Sequence, residues 1–140
     1  MKKTFLLFIS ALFMLSLVNT TNANKAAKEK FVKVVYFHGD YRCQTCNRIE
    51  SLIKKTMKQH FSNEISKGTV VFEIINYDKD NNEHFKKDYD LYNQSLIISK
   101  FKSSTEKDWK NCQKIWELNT NSDKFIKYVK KETNNYLSEL

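Results

Sequence analysis

The chain has 140 residues, no proline, two glycines and three cysteines, and a net charge of +8. That length gives room for one domain with a modest core. The lysines are interleaved with acids and form no single basic stripe, so the charge describes a Lys- and Asn-rich solvated surface and argues against a nucleic-acid partner.

Residues 1–23 read as a secretory signal. Lys2 and Lys3 form its basic start, Phe5 to Val18 its apolar stretch, and Thr21-Asn22-Ala23 its polar end. The apolar run is about 14 residues, against the roughly 20 that a membrane span needs. No Cys sits near the end of this stretch, so no lipoprotein anchor is indicated. An uncleaved signal would leave the protein tethered to the membrane. The expectation is an exported protein, periplasmic or secreted, whose signal engages the export machinery. Residues 24–30 are a polar linker, and residues 31–140 the domain.

Phe31 to Phe37 read as a buried strand. His38-Gly39-Asp40-Tyr41-Arg42 form a loop. Cys43-Gln44-Thr45-Cys46 then open an amphipathic helix from about Asn47 to Phe61. After Gly68, Thr69 to Tyr77 is nearly apolar apart from Glu73, as suits a central strand covered on both faces. Asn81 or Asn82 caps a second helix carrying Phe85, Tyr89 and Tyr92. The third strand runs from Ser95 to about Phe101. The charged residues 102–108 read as a turn, and Cys112 to Leu118 as a fourth strand. Ser122 caps a last helix with Phe125, Ile126, Val129, Tyr136, Leu137 and Leu140 on one face. The order β-α-β-α-β-β-α predicts a mixed α/β sheet.

A C-x-x-C pair at the start of a helix that follows a strand is a redox arrangement. The thiolate is the attacking species in disulfide exchange. A helix N-terminus, with its unpaired N–H groups and positive dipole end, favours that thiolate. Cys43 is expected as the exposed nucleophile and Cys46 as the buried resolving thiol, the two closing a disulfide. Only Arg42 and Arg48 among the 24 basic residues are arginine, and both flank the motif. Arg42, and His38 when protonated, would favour the Cys43 thiolate further. Outside the cytosol a disulfide persists. A purely structural bond across so small a loop would constrain little unfolded chain.

The element order and the cysteine position resemble the thioredoxin fold in its short form, over about residues 31–140. That resemblance implies a three-layer fold around a central mixed sheet. Gly68 to Asp78, ending Asn76-x-Asp78, looks like the thioredoxin strand after the active-site helix. More closely, the chain resembles small exported thioredoxin-like proteins of the family called the ArsF subunit of a nitrophenyl compound nitroreductase. The matching residues are Tyr36-Phe37-His38-Gly39, Tyr41-Arg42-Cys43, Thr45-Cys46, Ile49-Glu50, Ser95-Leu96 and Trp116-Glu117-Leu118. The family name implies nitroaromatic or arsenic reduction, but no Gly-rich loop here suits a flavin or nicotinamide. The chain departs from thioredoxin in lacking the cis-proline that faces the sulfurs, and Gln94 or Ser95 falls near that position. Glu73 is a candidate for the missing buried proton acceptor.

Three functions follow. The leading one is a thiol–disulfide oxidoreductase, whose only redox group is its own disulfide. Its partners would be a protein disulfide or dithiol and an electron donor or acceptor. The second is binding of Cu(I), Zn(II) or arsenite by Cys43, Cys46 and His38, since soft thiolates suit thiophilic ions. The third is a non-catalytic subunit of a larger reductase, with Tyr41, Tyr92 and Trp109 as docking aromatics. Cys112 reads as a buried inert thiol, and His60 and His84 as structural or solvent-exposed.

Overall fold

The computed structural model describes residues 29–140. The expected signal and nearly all of the expected linker lie outside the described residues. Within them, four strands form one sheet in the order β2-β1-β3-β4. The strands are β1 (Lys30–His38), β2 (Val70–Asn76), β3 (Ser95–Lys102) and β4 (Thr105–Asn111). Strand β1 runs parallel to β2 and antiparallel to β3, and β4 runs antiparallel to β3. The helices are α1 (Gln44–His60), α2 (Ser62–Ser66), α3 (His84–Asp88), α4 (Ile115–Leu118) and α5 (Ser122–Leu137).

Alternation along β1 builds three layers. Val32, Val34 and Tyr36 face α1 and α5, where they meet Ile49, Ile53, Met57, Phe125 and Val129. Val35 and Phe37 face the other way and pack with Ile97, Leu91, Phe85 of α3 and Tyr89 at its C-terminal cap. Burying each large apolar side chain contributes about 1.5–3 kcal/mol, so the larger α1/α5 layer supplies most of the stability. The fold is α/β, a mixed four-stranded sheet between two helical layers, as the element order predicts.

Several expectations need correction. Strand β2 lies at the edge of the sheet; its apolar run records cover on both faces and says nothing about the number of strand neighbours. The expected turn over residues 102–108 is not one: Thr105–Asn111 form the other edge strand. Only Ser103 and Ser104 turn the chain, with φ of 49° and 64°. Three of the four charged side chains of β4 have partners. Tyr89 donates to Glu106 at 2.9 Å and Tyr136 to Asp108 at 3.1 Å, and Lys110 pairs with Glu132 at 2.8 Å. Residues 112–118 are accordingly no strand: Ile115–Leu118 form α4. Helix α5 is capped by Asn121, whose Oδ1 accepts the Lys124 amide at 3.0 Å, and not by Ser122. Ile126 is half-buried at the rim of a groove between α1 and α5. Helix α3 begins after Glu83, leaves Tyr92 outside and takes no side-chain cap from Asn81 or Asn82.

Candidate functional site

The chain leaves the sheet at the C-terminal end of β1 and enters α1 within five residues. Cys43 is the N-cap of α1, with φ −78° and ψ 164°. Its Sγ accepts the Cys46 amide at 3.0 Å, and its carbonyl accepts the Asn47 amide at 3.0 Å. The sulfur thus occupies the place of a capping oxygen at the positive end of the helix, where negative charge is favoured. Cys43 and Cys46 form a disulfide, with Cα atoms 5.0 Å apart. Cys43 is half-buried and Cys46 is 2% exposed. Cys43 is therefore the more accessible of the two, and Cys46 is covered.

A polar cluster supports the pair from beneath. The Tyr36 hydroxyl donates to the Cys46 carbonyl at 3.2 Å. Burial raises the pKa of that phenol, so it stays a donor. The Arg42 guanidinium pairs with Glu50, which also accepts from Lys54 at 2.7 Å. Burial works against ionisation of Glu50, but the hydrogen bonds from Lys54 and Arg42 outweigh it and hold its pKa below the usual carboxylate value. The charge expected to act on Cys43 is therefore compensated: Arg42 already has a carboxylate partner. Its Nε is buried without a hydrogen-bond partner among the described residues. Arg48 points elsewhere and donates to Asn119 at 3.2 Å, tying α1 to the turn before α5.

The loop before Cys43 is fastened to the end of β2. Asp40 donates its amide to Asp78 Oδ2 at 2.8 Å and accepts from Asn76 Nδ2 at 2.7 Å. Lys79 pairs with Asp40 at 2.9 Å and Lys86 with Asp78 at 2.7 Å. Hydrogen bonds from Lys79 and Asn76 lower the pKa of Asp40, and bonds from Lys86 and the Asp40 amide lower that of Asp78. Gly39 fits because it lacks a side chain: a Cβ there would lie 2.5 Å from Asp78 Oδ2 and 3.0 Å from the Tyr77 ring. His38 Nδ1 donates to the Gly39 carbonyl at 2.8 Å, so His38 helps to shape the loop.

The segment before β3 closes the site from the other side. Gln94 Nε2 donates to the Tyr41 carbonyl at 3.1 Å, and the Trp116 indole donates to the Gln94 carbonyl at 3.0 Å. Ser95 is 2% exposed and donates to the Asn93 carbonyl at 3.0 Å. The described residues contain no cis peptide bond. Gln94, more than Ser95, is the residue that reaches the cysteine loop.

Glu73 lies away from this cluster. It stands opposite Val35 in the register, on the sheet face that α3 covers, and pairs with Lys33 at 2.9 Å. The proposed proton acceptor is thus an ion-paired residue on an edge strand. Cys112 is fully buried and free; burial pushes its thiol up to about 12, despite a hydrogen bond from Tyr128. His84 pairs with Asp88 at 2.7 Å, and His60 is exposed on α1. Among the described residues no three His, Cys, Asp or Glu side chains come together as a metal site. The Cys43, Cys46 and His38 set for Cu(I), Zn(II) or arsenite is therefore not assembled.

Sequence reasoning missed Glu50 and the Asp40–Asp78 link. Glu50 had a signal: it stands four residues after Cys46 and four before Lys54, on one helix face. Asp40 and Asp78 had none, because only the parallel pairing of β1 with β2 brings them together.

No protein-family model matches the chain, and no curated protein matches it. Solved structures do. The structure of a malarial protein is 20% identical, covers 72% of this chain and 96% of its own, and gives a TM-score of 0.44. A thioredoxin of Fasciola hepatica is 18% identical over 76% of this chain and 81% of its own, with a TM-score of 0.45. Thioredoxin f2 of Chlamydomonas reinhardtii is 15% identical over 66% and 81%, with a TM-score of 0.41.

Proposed function

We propose that this protein is an exported thiol–disulfide oxidoreductase acting through Cys43 and Cys46. The observation that carries the reading is the capping geometry: Cys43 Sγ accepts a helix N-terminal amide at 3.0 Å while Cys46 lies covered behind it. A sulfur so placed is stabilised as a thiolate. In the reducing direction, the Cys43 thiolate attacks one sulfur of a substrate disulfide. That S–S bond breaks, the departing thiolate takes up a proton from water, and a mixed disulfide joins Cys43 to the substrate. Cys46, deprotonated, then attacks Cys43 Sγ and releases the second substrate thiol. The substrate gains two electrons, and the Cys43–Cys46 disulfide forms. A dithiol partner returns the pair to its reduced state. The oxidising direction runs the same steps backwards.

Export rests on Lys2, Lys3 and the apolar stretch from Phe5 to Val18. The resemblance to the ArsF-type subunit supports a larger reductase as electron partner. The test is trapping: a Cys46→Ala variant, mixed with a disulfide-bonded protein substrate, should accumulate a mixed disulfide on Cys43. A Cys43→Ala variant should accumulate none. Equal trapping by both would refute the assigned roles.

A further inference from the structure

A cavity of about 300 Å³ opens between the segment before β3 and the start of α4, lined by Asp90, Tyr92, Asn111, Trp116 and Glu117 among others. Two hydrogen bonds connect it to the site, from the Trp116 indole to the Gln94 carbonyl and from the Gln94 amide to the Tyr41 carbonyl. Tyr41 stands two residues before Cys43.

The chemistry of this cavity runs against that of the chain. Basic residues outnumber acids 24 to 16, yet no lysine or arginine lines it. Its two charges are the carboxylates of Asp90 and Glu117, and neither has an ion-pair partner among the described residues. Lys110 and Lys114 line a neighbouring cavity that shares Asn111 and Glu117 as its wall, but neither lysine pairs with Glu117, and Lys110 is held by Glu132 at 2.8 Å. Asn111 Oδ1 is buried with no hydrogen-bond partner among the described residues. A buried acceptor without a donor is costly, and a ligand that brings a donor relieves it. Tyr92, 90% exposed, and Trp116 supply aromatic faces. Unpaired carboxylates, an unmet acceptor and two aromatic rings together suit a cation that also donates hydrogen bonds.

We infer that the cavity holds a lysine or arginine side chain of the substrate polypeptide, close to the cysteine that Cys43 engages. The inference rests on the oxidoreductase reading and adds a substrate class: basic sequence around the reacting cysteine. The basic surface of the protein would otherwise repel such a segment, so this cavity gives it a specific seat.

The test uses the full chain and two kinds of peptide. In the first arm, binding of a cysteine-free lysine peptide is followed by NMR shifts of the Trp116 indole and the Asn111 side-chain amide, with the norleucine analogue as control. The lysine peptide should bind about tenfold more tightly at low salt, as a cation–π contact and two exposed ion pairs together provide, and the preference should shrink as salt rises. A D90N/E117Q double variant should lose the preference. Asp90 has φ 50°, a conformation that asparagine also tolerates, so the variant should keep the fold. Equal binding of both peptides, or a preference that survives in the double variant, would overturn the proposal. In the second arm, the peptides carry a disulfide and exchange rates are compared. Basic preference in binding with no exchange would sink the oxidoreductase reading and leave the cation seat standing. Exchange with no basic preference would do the reverse.

Discussion

Arg42, the residue before Cys43, forms an ion pair with Glu50 on α1, the helix that Cys43 caps. The residue beside Cys43 therefore brings no uncompensated charge to it. The helix N-terminus, through the Cys46 amide, is left as the main source of thiolate stabilisation. Replacing Glu50 by glutamine should free the Arg42 charge. Cys43 in the reduced protein should then titrate at lower pH, shown by the pH profile of iodoacetamide alkylation. An unchanged profile would mean that the pair acts only on structure.

Glu50 also makes an acid-stability prediction. Its folded pKa lies below the ordinary carboxylate value. The stability it contributes is therefore present above that ordinary value, near 4.3, and is lost as pH falls through the folded pKa. Glu50→Gln should cost about 1–2 kcal/mol at neutral pH. The difference from the parent should vanish in acid. Urea unfolding at several pH values between 7 and about 3 checks this.

Gly39 is fixed by crowding. Gly39→Ala would bring a methyl group against Asp78 Oδ2, which is itself held by the Asp40 amide and Lys86. The expected loss is about 1–3 kcal/mol, as for an overpacked site. Thermal unfolding measures the loss. Exchange of the Asp40 amide should quicken in the same variant, since its acceptor is displaced.

The Ser103–Ser104 turn is suboptimal. Both residues have positive φ, the condition that favours Asn-Gly in a two-residue hairpin. A Ser103→Asn, Ser104→Gly double variant should gain roughly 0.5–1 kcal/mol, read as a rise in the unfolding midpoint. A loss would show that the serines serve another purpose.

The same turn shows where the sequence was hard to read. Two serines carry little turn signal, and Thr105–Asn111 is too charged to look like a strand. Its acids are satisfied by Tyr89 and Tyr136, each remote in sequence. The strand Val70–Asn76 was legible as an element but not as an edge, because an apolar run reports cover and not neighbours. The cysteine site was the most legible part. Apolar β1, a short polar loop and the apolar spacing of Ile49, Leu52, Ile53, Thr56 and Met57 place Cys43 and Cys46 at a helix start from local pattern alone. What stayed hidden was every contact that depends on strand pairing, including the Asp40–Asp78 link and the position of Glu73.

Cys112 separates the two kinds of cysteine in this chain. It is fully buried, and its thiol is pushed up to about 12, first by burial. After mild reduction, two thiols per chain should react quickly with a disulfide reagent near neutral pH. The third should react only on unfolding. Fast reaction of all three would contradict the burial of Cys112.

The most direct test of the central claim is a redox titration of the purified protein against a graded thiol–disulfide buffer, followed by thiol count. The account predicts one reversible two-electron transition between about −270 and −120 mV, the span of thioredoxin-like pairs. The transition should disappear in Cys43→Ser and in Cys46→Ser and persist in Cys112→Ala. A disulfide that resists the whole buffer range, or a transition that survives loss of Cys43, would contradict it.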